Sequence, residues 1–176
     1  MIIPGLIFFS SSYVYSGLDP DVVVDETTPP NPRHNFGVAK SFFEKLIQST
    51  HTSSVVFRLS SVFGHGPQKH PNAVAAMATE CIEHGRLTVW GEGRRRMQYI
   101  YLDDVVSSTL EGATLPPGVY NLGGRGHITV ADTAARIAEF FGASTEFLRE
   151  KREGETLPAM NIGKLREASA EQHLTA

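Results

Sequence analysis

Ser11, Phe36 and Lys40 are the first side chains whose types and spacing suggest chemistry. Phe36 and Lys40 lie four residues apart in the stretch HNFGVAKSFFEKLI, residues 34–47, so on a helix they share one face. A phenol beside a lysine at this spacing could transfer a proton, but phenylalanine has the ring without the hydroxyl. Ser11 precedes Phe36 by 25 positions (36 − 11) and ends an apolar run, where open α/β sheets bind ligands. The predicted helix therefore offers a lysine and an aromatic ring on one face, but no hydroxyl that could give a proton.

Tyr13 could supply the hydroxyl that Phe36 lacks. It lies two residues after Ser11, on the same side of an extended strand end. A positive charge favours the phenolate form of a phenol close to it, so a Tyr13–Lys40 pair is one hypothesis for acid–base chemistry. The alternative is a tyrosine that only packs over the end of a strand.

The elements that position these side chains can be read from the hydrophobic pattern. Residues 7–10 are typical of a strand buried on both faces, and the β-branched run over 54–60 predicts the next buried strand. Between them, an apolar stripe that includes Phe42 and Phe43 predicts an amphipathic helix over 36–49.

The rest of the sequence continues the alternation of strands and helices. The patterns predict, in order, a helix over 72–83 closed by Gly85, a strand over 87–90, a strand that turns into a helix that Asp103 can cap, a short strand in GVYNLGG, and a helix that Thr129 caps and Gly142 ends. Alternation of this size indicates an α/β fold with a largely parallel sheet, in a single domain over residues 1–176.

Composition limits the classes of partner. The 176 residues are 41% hydrophobic, which is enough for one compact domain with a core. The net charge is −3, from 16 basic against 19 acidic residues, so we expect neither nucleic acid nor a membrane as partner. The apolar start, MIIPGLIFFSSS, is too short for a membrane span and lacks the positive region of a secretion signal, which favours the cytoplasm.

Cysteine and histidine give no support for a disulfide or a metal site. Cys81 is the only cysteine, which excludes an internal disulfide and a thiolate metal cluster, and which fits a reducing compartment. His65 and His70 flank GPQK at a five-residue spacing, without carboxylate or thiol neighbours. We therefore predict that the chain has no metal site.

Seven stretches occur in the order in which one enzyme family carries them. They are FFSSSYVYSG, DETTPPNP, FGVAK, FRLSSVFGHGP, VWGEG, YIYLDDVV and GVYNLGG. From about residue 7 to residue 164 the chain resembles the extended short-chain dehydrogenase/reductases, the NAD-dependent sugar-nucleotide epimerases and dehydratases. The resemblance implies an α/β fold with a truncated Rossmann-like parallel sheet and the small substrate-binding lobe of that family. It also implies a small-molecule substrate, which in the family is a sugar nucleotide.

The resemblance assigns roles to the first group of residues. It implies that Ser11 hydrogen-bonds the reacting oxygen and that Lys40 is the lysine that holds the cofactor ribose in the family. Phe36 falls on the catalytic tyrosine, where its ring can preserve the shape of the substrate pocket. The family's dehydratases carry an Asp and a Glu at positions 12 and 13, where this chain has Ser12 and Tyr13. That departure argues against sugar dehydration.

Further polar positions are implied substrate contacts. Ser61 falls where the family usually has an asparagine near the substrate, and Asn72 begins the helix that lies over it. Arg152, in REGE, matches an arginine with which the family contacts the substrate's diphosphate. A second such arginine falls on Met97, and Arg96, one place away, is the candidate in this chain. Without a secure diphosphate contact, the ligand can also be unrelated to a sugar nucleotide, including an apolar polycyclic molecule.

The dinucleotide site is the part of the family pattern that this sequence does not match. Family members hold the pyrophosphate at a Gly-rich turn that opens a helix, and the resemblance starts where that half of the fold ends. GEGRRR (91–96) and GRGHIT (124–129) each lack the third glycine of a dinucleotide turn. We therefore expect no cofactor, with NAD(P) bound only if a partner chain supplies the missing half.

Three functions remain open. We favour a cofactor-independent isomerase, cyclase or lyase of a biosynthetic pathway, with Ser11, Tyr13 and Lys40 as its polar groups. The second is half of a split NAD-dependent sugar-nucleotide epimerase/dehydratase completed by a partner chain. Phe36 disfavours that function, because a partner cannot restore the hydroxyl. The third is a binding remnant without catalysis. Loss of the cofactor half would leave a sheet edge and apolar helix faces exposed, so we also expect a homo-oligomer.

Overall fold

The structure is a computed structural model that describes residues 5–66 and 72–175. It divides the chain into two compact units. The first unit consists of Met1–Val62, Gln98–Gly126 and Leu157–Ala176, and the second of Phe63–Met97 and His127–Thr156. Each unit has its own hydrophobic core. The single domain expected for residues 1–176 stays a prediction.

Strands and helices alternate along the chain. The strands are β1 (Leu6–Ser11), β2 (Val23–Val24), β3 (Ser54–Leu59), β4 (Ser61–Phe63), β5 (Arg86–Trp90), β6 (Arg96–Met97), β7 (Tyr99–Tyr101), β8 (Gly118–Leu122), β9 (Ile128–Thr129), β10 (Ser144–Leu148) and β11 (Ala159–Met160). The helices are α1 (Asn35–Thr50), α2 (Ala73–His84), α3 (Leu102–Gly112), α4 (Val130–Phe141) and α5 (Gly163–Thr175), and a 3₁₀ helix spans Ser12–Tyr15. The sequence predicted β1, β3, β5, β7, β8 and helices α1 to α4. It did not predict β10, α5 or the short strands β2, β4, β6, β9 and β11.

Three parallel strands form the sheet of the first unit, in the order β1-β3-β8. β3 lies in the middle and is buried from Ser54 to Arg58, as its β-branched sequence predicts. The prediction that β1 is also buried on both faces is wrong, because Phe9 is exposed. In the part of the chain that the structure describes, β1 pairs only with β3, so it is an edge strand.

Side chains cover the opposite edge of this sheet. On β8, the N–H group of Asn121 donates to the Glu26 carboxylate at 2.7 Å. Lys164, at the start of α5, donates from Nζ to the carbonyl oxygen of Val119 at 2.7 Å. These two contacts satisfy main-chain groups that a further strand would otherwise bond.

Helix α1 is present as predicted, but its apolar stripe does not face the core. Phe42, Phe43 and Leu46 are 60%, 46% and 43% exposed. Side chains of this size usually form the buried face of a helix. The stripe of α1 is therefore an exposed apolar surface.

The face of α1 that packs against the first unit carries small and charged residues. Gly37, Ser41 and Glu44 are the buried residues of this helix. A Cβ atom at Gly37 would lie 2.3 Å from the carbonyl oxygen of Tyr13, so only glycine allows this close approach. The tight contact with the 3₁₀ helix decides which face of α1 is turned inward.

The second unit is built on the parallel pair β5 and β10, against which α2 and α4 pack. Its core residues are Met77, Cys81, Leu87, Val89, Ala134 and Ala138. Cys81 is a buried free thiol in this core. The antiparallel pair β6–β9 joins the segment after the turn that follows β5 to the residues just before α4.

Most of the predicted helix ends are confirmed by their caps. Thr129 accepts a hydrogen bond from the N–H group of Asp132 at 3.0 Å, and Gly142 ends α4 in the left-handed conformation. Gly85 ends α2 in the same way. Asp103 does not cap α3. The cap position is Tyr101, and Asp103 lies in the first turn, where a carboxylate still interacts favourably with the helix dipole.

No helix among the described residues combines the length and the apolar character that crossing a bilayer requires.

Candidate functional site

Ser11 and Tyr13 are joined by the turn that ends β1. The Ser11 Oγ accepts a hydrogen bond from the main-chain N–H of Tyr13 at 3.3 Å and caps the 3₁₀ helix. Ser11 thus lies at the carboxyl end of a parallel strand, as the sequence predicts, and Tyr13 follows within one turn. This edge of the sheet is where α/β folds bind ligands.

The exposed ring of Phe36 lies between Tyr13 and Lys40. The Tyr13 ring meets it edge to face, with the centroids 5.9 Å apart and the planes at 82°. Lys40 Nζ lies 5.6 Å from the centroid of the Phe36 ring. It also donates a hydrogen bond to the carbonyl oxygen of Phe9 at 2.7 Å. No Tyr13–Lys40 hydrogen bond occurs within residues 5–66 and 72–175. The structure brings Ser11, Tyr13, Phe36 and Lys40 together as one group, but it does not join the phenol to the ammonium.

A buried ion pair fixes α1 to the sheet behind this group. Glu44 and Arg58 are 3% and 4% exposed. Arg58 Nη2 lies 2.7 Å from Glu44 Oε2, and its Nε lies 3.1 Å from Oε1, so the contact is bidentate. The hydroxyl of Ser10 also donates to Glu44. Lys40 precedes Glu44 by one turn of α1, so the pair restrains the part of the helix that carries Lys40.

The network continues from Arg58 into the core. Arg58 Nη1 donates to the hydroxyl of Tyr15 at 2.6 Å, and that hydroxyl donates to Asn121 at 3.2 Å. Burial raises the pKa of Tyr15, although the Arg58 charge opposes the shift. Burial would lower the pKa of Arg58, but the hydrogen bonds and charge of Glu44 outweigh it and raise that pKa. Tyr15 and Arg58 therefore both keep their protons at neutral pH.

The sequence analysis did not identify this network, although the sequence carries a signal for it. Arg58 is the one charged residue in a β-branched strand, and a charge in such a strand must be paired when it is buried. Its partner could not be deduced from spacing, since Glu44 lies 14 positions away on another element.

The second unit contains a cavity of about 410 Å³ that the sequence did not predict. Trp90, at the end of β5, is 58% exposed beside it. The lining residues are Ala73, Ala76, Met77, Glu80, Thr88, Trp90, Arg95, Val130, Glu153 and Gly154. An exposed tryptophan on an apolar floor is the usual composition of a small-molecule pocket.

The Glu153 carboxylate binds the turn that follows β5. It accepts hydrogen bonds from the N–H groups of Glu92 at 2.9 Å and Arg95 at 2.6 Å. A Cβ atom at Gly91, which has φ 65°, would lie 2.5 Å from Glu153 Cγ, so the turn requires glycine there. Burial would raise the pKa of Glu153, but the main-chain donors of this turn outweigh it and lower the pKa. The Glu153 carboxylate is therefore an anion of the chain itself that the main-chain N–H groups of this turn bind.

The remaining predicted substrate contacts lie on different elements of the two units. Ser61 begins β4, and its N–H donates to the carbonyl of Gln98 at 3.0 Å. Asn72 caps α2 by accepting from the N–H of Ala75 at 2.9 Å. Arg96 lines a separate open cavity, and Arg152 is exposed beside Glu153. The roles of all four in substrate binding stay predictions.

Among the described residues, no group of three or more histidine, cysteine or acidic side chains could hold a metal ion. His65 is described, whereas His70 lies outside the described residues.

A family model decides the relationship of this chain to known proteins. The model of the NAD dependent epimerase/dehydratase family matches residues 3–123. The chain belongs to this family. Its motifs and the Rossmann-like parallel α/β fold that they imply are thereby confirmed.

Individual members of the epimerase/dehydratase family match over about half of their own length. A dTDP-glucose 4,6-dehydratase of Streptomyces niveus is 26% identical over 151 residues, which is 81% of this chain and 44% of the relative. The structure of a Thermus thermophilus UDP-glucose 4-epimerase in complex with NAD superposes with a TM-score of 0.79 at 21% identity, covering 92% of this chain and 56% of the neighbour. A Bacillus cereus UDP-glucuronic acid 4-epimerase in complex with NAD gives 0.76 at 25%, covering 94% and 55%.

The two glycine-rich turns of this family member do not fit the pyrophosphate of NAD. A pyrophosphate needs main-chain N–H groups at a turn or helix N-terminus. In the turn after β5, those of Glu92 and Arg95 bind Glu153 instead. At the start of α4, the N–H group of Asp132 donates to the Thr129 hydroxyl oxygen at 3.0 Å, and the Thr129 hydroxyl donates to the Asp132 carboxylate at 2.6 Å. Within the described residues, these turns therefore do not form a dinucleotide cradle.

Proposed function

We propose that this epimerase/dehydratase-family chain carries out acid–base chemistry on a small molecule without NAD redox chemistry of its own. The reaction would be that of an isomerase, cyclase or lyase in a biosynthetic pathway in the cytoplasm. The observation that carries the proposal is the packing of Tyr13 against Phe36, with centroids 5.9 Å apart. It puts a phenol beside the position of the family's catalytic tyrosine.

Each member of the group has a role that suits its chemistry. Tyr13 would give a proton to, or take one from, the reacting atom, which is typically worth about 10²- to 10⁴-fold in rate. Lys40, anchored by the Phe9 carbonyl, would stabilise negative charge that develops beside the exposed Phe36 ring. Ser11 would hydrogen-bond the substrate oxygen. Phe36 would orient the substrate by contact alone.

The second candidate is half of a split NAD-dependent sugar-nucleotide epimerase/dehydratase. It is favoured by the edge position of β1, by the exposed stripe of α1, and by coverage of only about half of relatives that bind NAD. A partner chain would then cover the stripe and supply the dinucleotide site. Phe36 counts against it, since the missing hydroxyl lies within this chain.

The cofactor content of the purified chain tests the first function. We expect no NAD(P) in the supernatant after denaturation, judged by absorbance and mass spectrometry, and no change at 340 nm with added nicotinamide cofactor. Phe36→Tyr is the control variant. It restores the hydroxyl, and we expect it to remain inactive with NAD(P) because the cradle is still missing. Released NAD(P), or turnover by either protein, would disprove the first function.

The apolar stripe of α1 leads to a prediction of self-association. We expect a dimer or larger oligomer by light scattering at micromolar concentration, because clustered apolar side chains of this size are seldom left in water. Phe42→Glu or Leu46→Glu should shift the chain to monomer. The control is Ile82→Glu, an exposed apolar residue on α2, which should leave the mass unchanged. A wild-type monomer would contradict the prediction.

A further inference from the structure

An open cavity in the second unit lies between the β6–β9 pair and the first two turns of α4. Its volume is about 560 Å³, and it shares no lining residue with the cavity beside Trp90. Among the described residues, the titratable side chains that line it are Arg96, His127, Asp132 and Arg136. Two guanidiniums against one carboxylate make the lining positive, although the chain as a whole carries a net charge of −3.

The backbone directs these side chains toward one side. Arg96 on β6 lies directly opposite Thr129 on β9, so the two share one face of the antiparallel pair. His127 precedes Thr129 by two residues and lines the same cavity. On α4, Asp132 and Arg136 follow Thr129 at three and seven positions, which puts them on one face of that helix. Groups from three segments of the chain thus meet in one cavity.

The chain uses the carboxylate of this cavity more than it uses the guanidinium on α4. The Asp132 carboxylate accepts a hydrogen bond from the Thr129 hydroxyl at 2.6 Å. The Arg136 side chain is exposed and, within residues 5–66 and 72–175, forms no hydrogen bond or ion pair, not even with Asp132 one turn earlier. Its planar fork of N–H donors is therefore available to a ligand, and such a fork fits the oxygen atoms of a phosphate group.

We infer that this cavity binds the phosphate group of a small phosphorylated molecule, with Arg96 and Arg136 as its charged ligands. A ring nitrogen of His127 can donate a further hydrogen bond. The site differs from the diphosphate contact that the family implies, because that arginine falls on Met97. Met97 is the neighbour of Arg96 on β6, so its side chain points to the opposite face of the strand. The inference concerns the second unit and does not depend on the acid–base chemistry proposed for the first.

NMR titration of the whole chain tests the site with three additions. They are glycerol 3-phosphate, inorganic phosphate, and sodium chloride at matched ionic strength. The amide resonances of Ile128 and Ala135, two apolar residues of the lining, report on the cavity. We expect saturable shifts with glycerol 3-phosphate and none with chloride. Shifts with inorganic phosphate but not with glycerol 3-phosphate would overturn the assignment to a phosphorylated molecule.

Two variants should change the affinity for glycerol 3-phosphate in opposite directions. Arg136→Gln should weaken binding at least about fivefold, because it removes one of the two guanidinium charges. Asp132→Asn should strengthen binding at least about twofold, because it removes a carboxylate that repels the phosphate. Both side chains are exposed, so we expect both variants to fold.

The matched controls are Arg149→Gln and Arg152→Gln. Both residues are exposed arginines of the second unit outside the cavity lining, and each substitution removes the same charge as Arg136→Gln. We expect neither to change the affinity. An effect of Arg152→Gln as large as that of Arg136→Gln would place the phosphate at the diphosphate contact implied by the family and overturn the inference. Equal weakening by Arg149→Gln, or no saturable shift with the wild-type chain, would do so as well.

Discussion

Arg58→Met is expected to destabilise the chain by about 3–5 kcal/mol, because it leaves the Glu44 carboxylate buried without its partner. Glu44 is 3% exposed and makes its bidentate contact only with Arg58. The loss is a large part of the total stability of a domain, which is typically about 5–15 kcal/mol. Urea unfolding followed by circular dichroism would measure it.

A double variant keeps this prediction testable even if one single variant does not fold. Glu44→Leu combined with Arg58→Met removes both charges and replaces them with apolar side chains, so it should be more stable than either single variant. The matched control is Arg86→Met, which breaks the Arg86–Glu146 pair between β5 and β10. That pair is also close, at 3.0 Å, but both side chains are exposed. Its loss should cost less than about 1 kcal/mol.

Equal destabilisation by Arg58→Met and Arg86→Met would contradict the role of the buried pair. A double variant no more stable than the single variants would do the same, since it would show that the two charges are not coupled.

Tyr13→Phe should lower turnover by about 10²-fold or more if Tyr13 is the proton donor or acceptor of the site. The change removes one oxygen atom and leaves the edge-to-face contact with Phe36 in place, so folding should be unaffected. Complementation of a gene deletion, with the pathway product measured by mass spectrometry, provides the assay. Ser11→Ala and Lys40→Ala should also lower product formation.

The same substitution at Tyr101, on β7 and outside the group of Ser11, Tyr13, Phe36 and Lys40, is the control for Tyr13→Phe and should leave turnover within about threefold of wild type. Full product formation by the Tyr13, Ser11 and Lys40 variants would exclude the acid–base proposal. The chain would then be better described as a binding protein.

The sequence was sufficient for the elements whose signals are local. The β-branched run of β3 and the caps Thr129 and Gly142 predicted their elements correctly, because propensity and capping act within a few residues. The outward direction of Phe42 on α1 was not predictable from periodicity. Two opposite faces of that helix are possible, and the contact of Gly37 with the Tyr13 carbonyl selects one of them.

Long-range contacts account for what the sequence did not provide about the sites. Glu153 binds the turn at Glu92 across 61 positions of sequence, and no local pattern links the two. The exposure of Trp90 likewise depends on how α2 and α4 pack over β5. In contrast, the grouping of Ser11 with Lys40 followed from the sequence, since family motifs placed both at one end of the same sheet.

The two edges of the first unit's sheet differ in a way that limits assembly. Glu26 and Lys164 bond the main chain of β8, so among the described strands of this sheet β1 offers the open edge to a strand from another polypeptide. A fibril requires each subunit to offer two complementary edges, whereas a sheet with one open edge favours a closed pair.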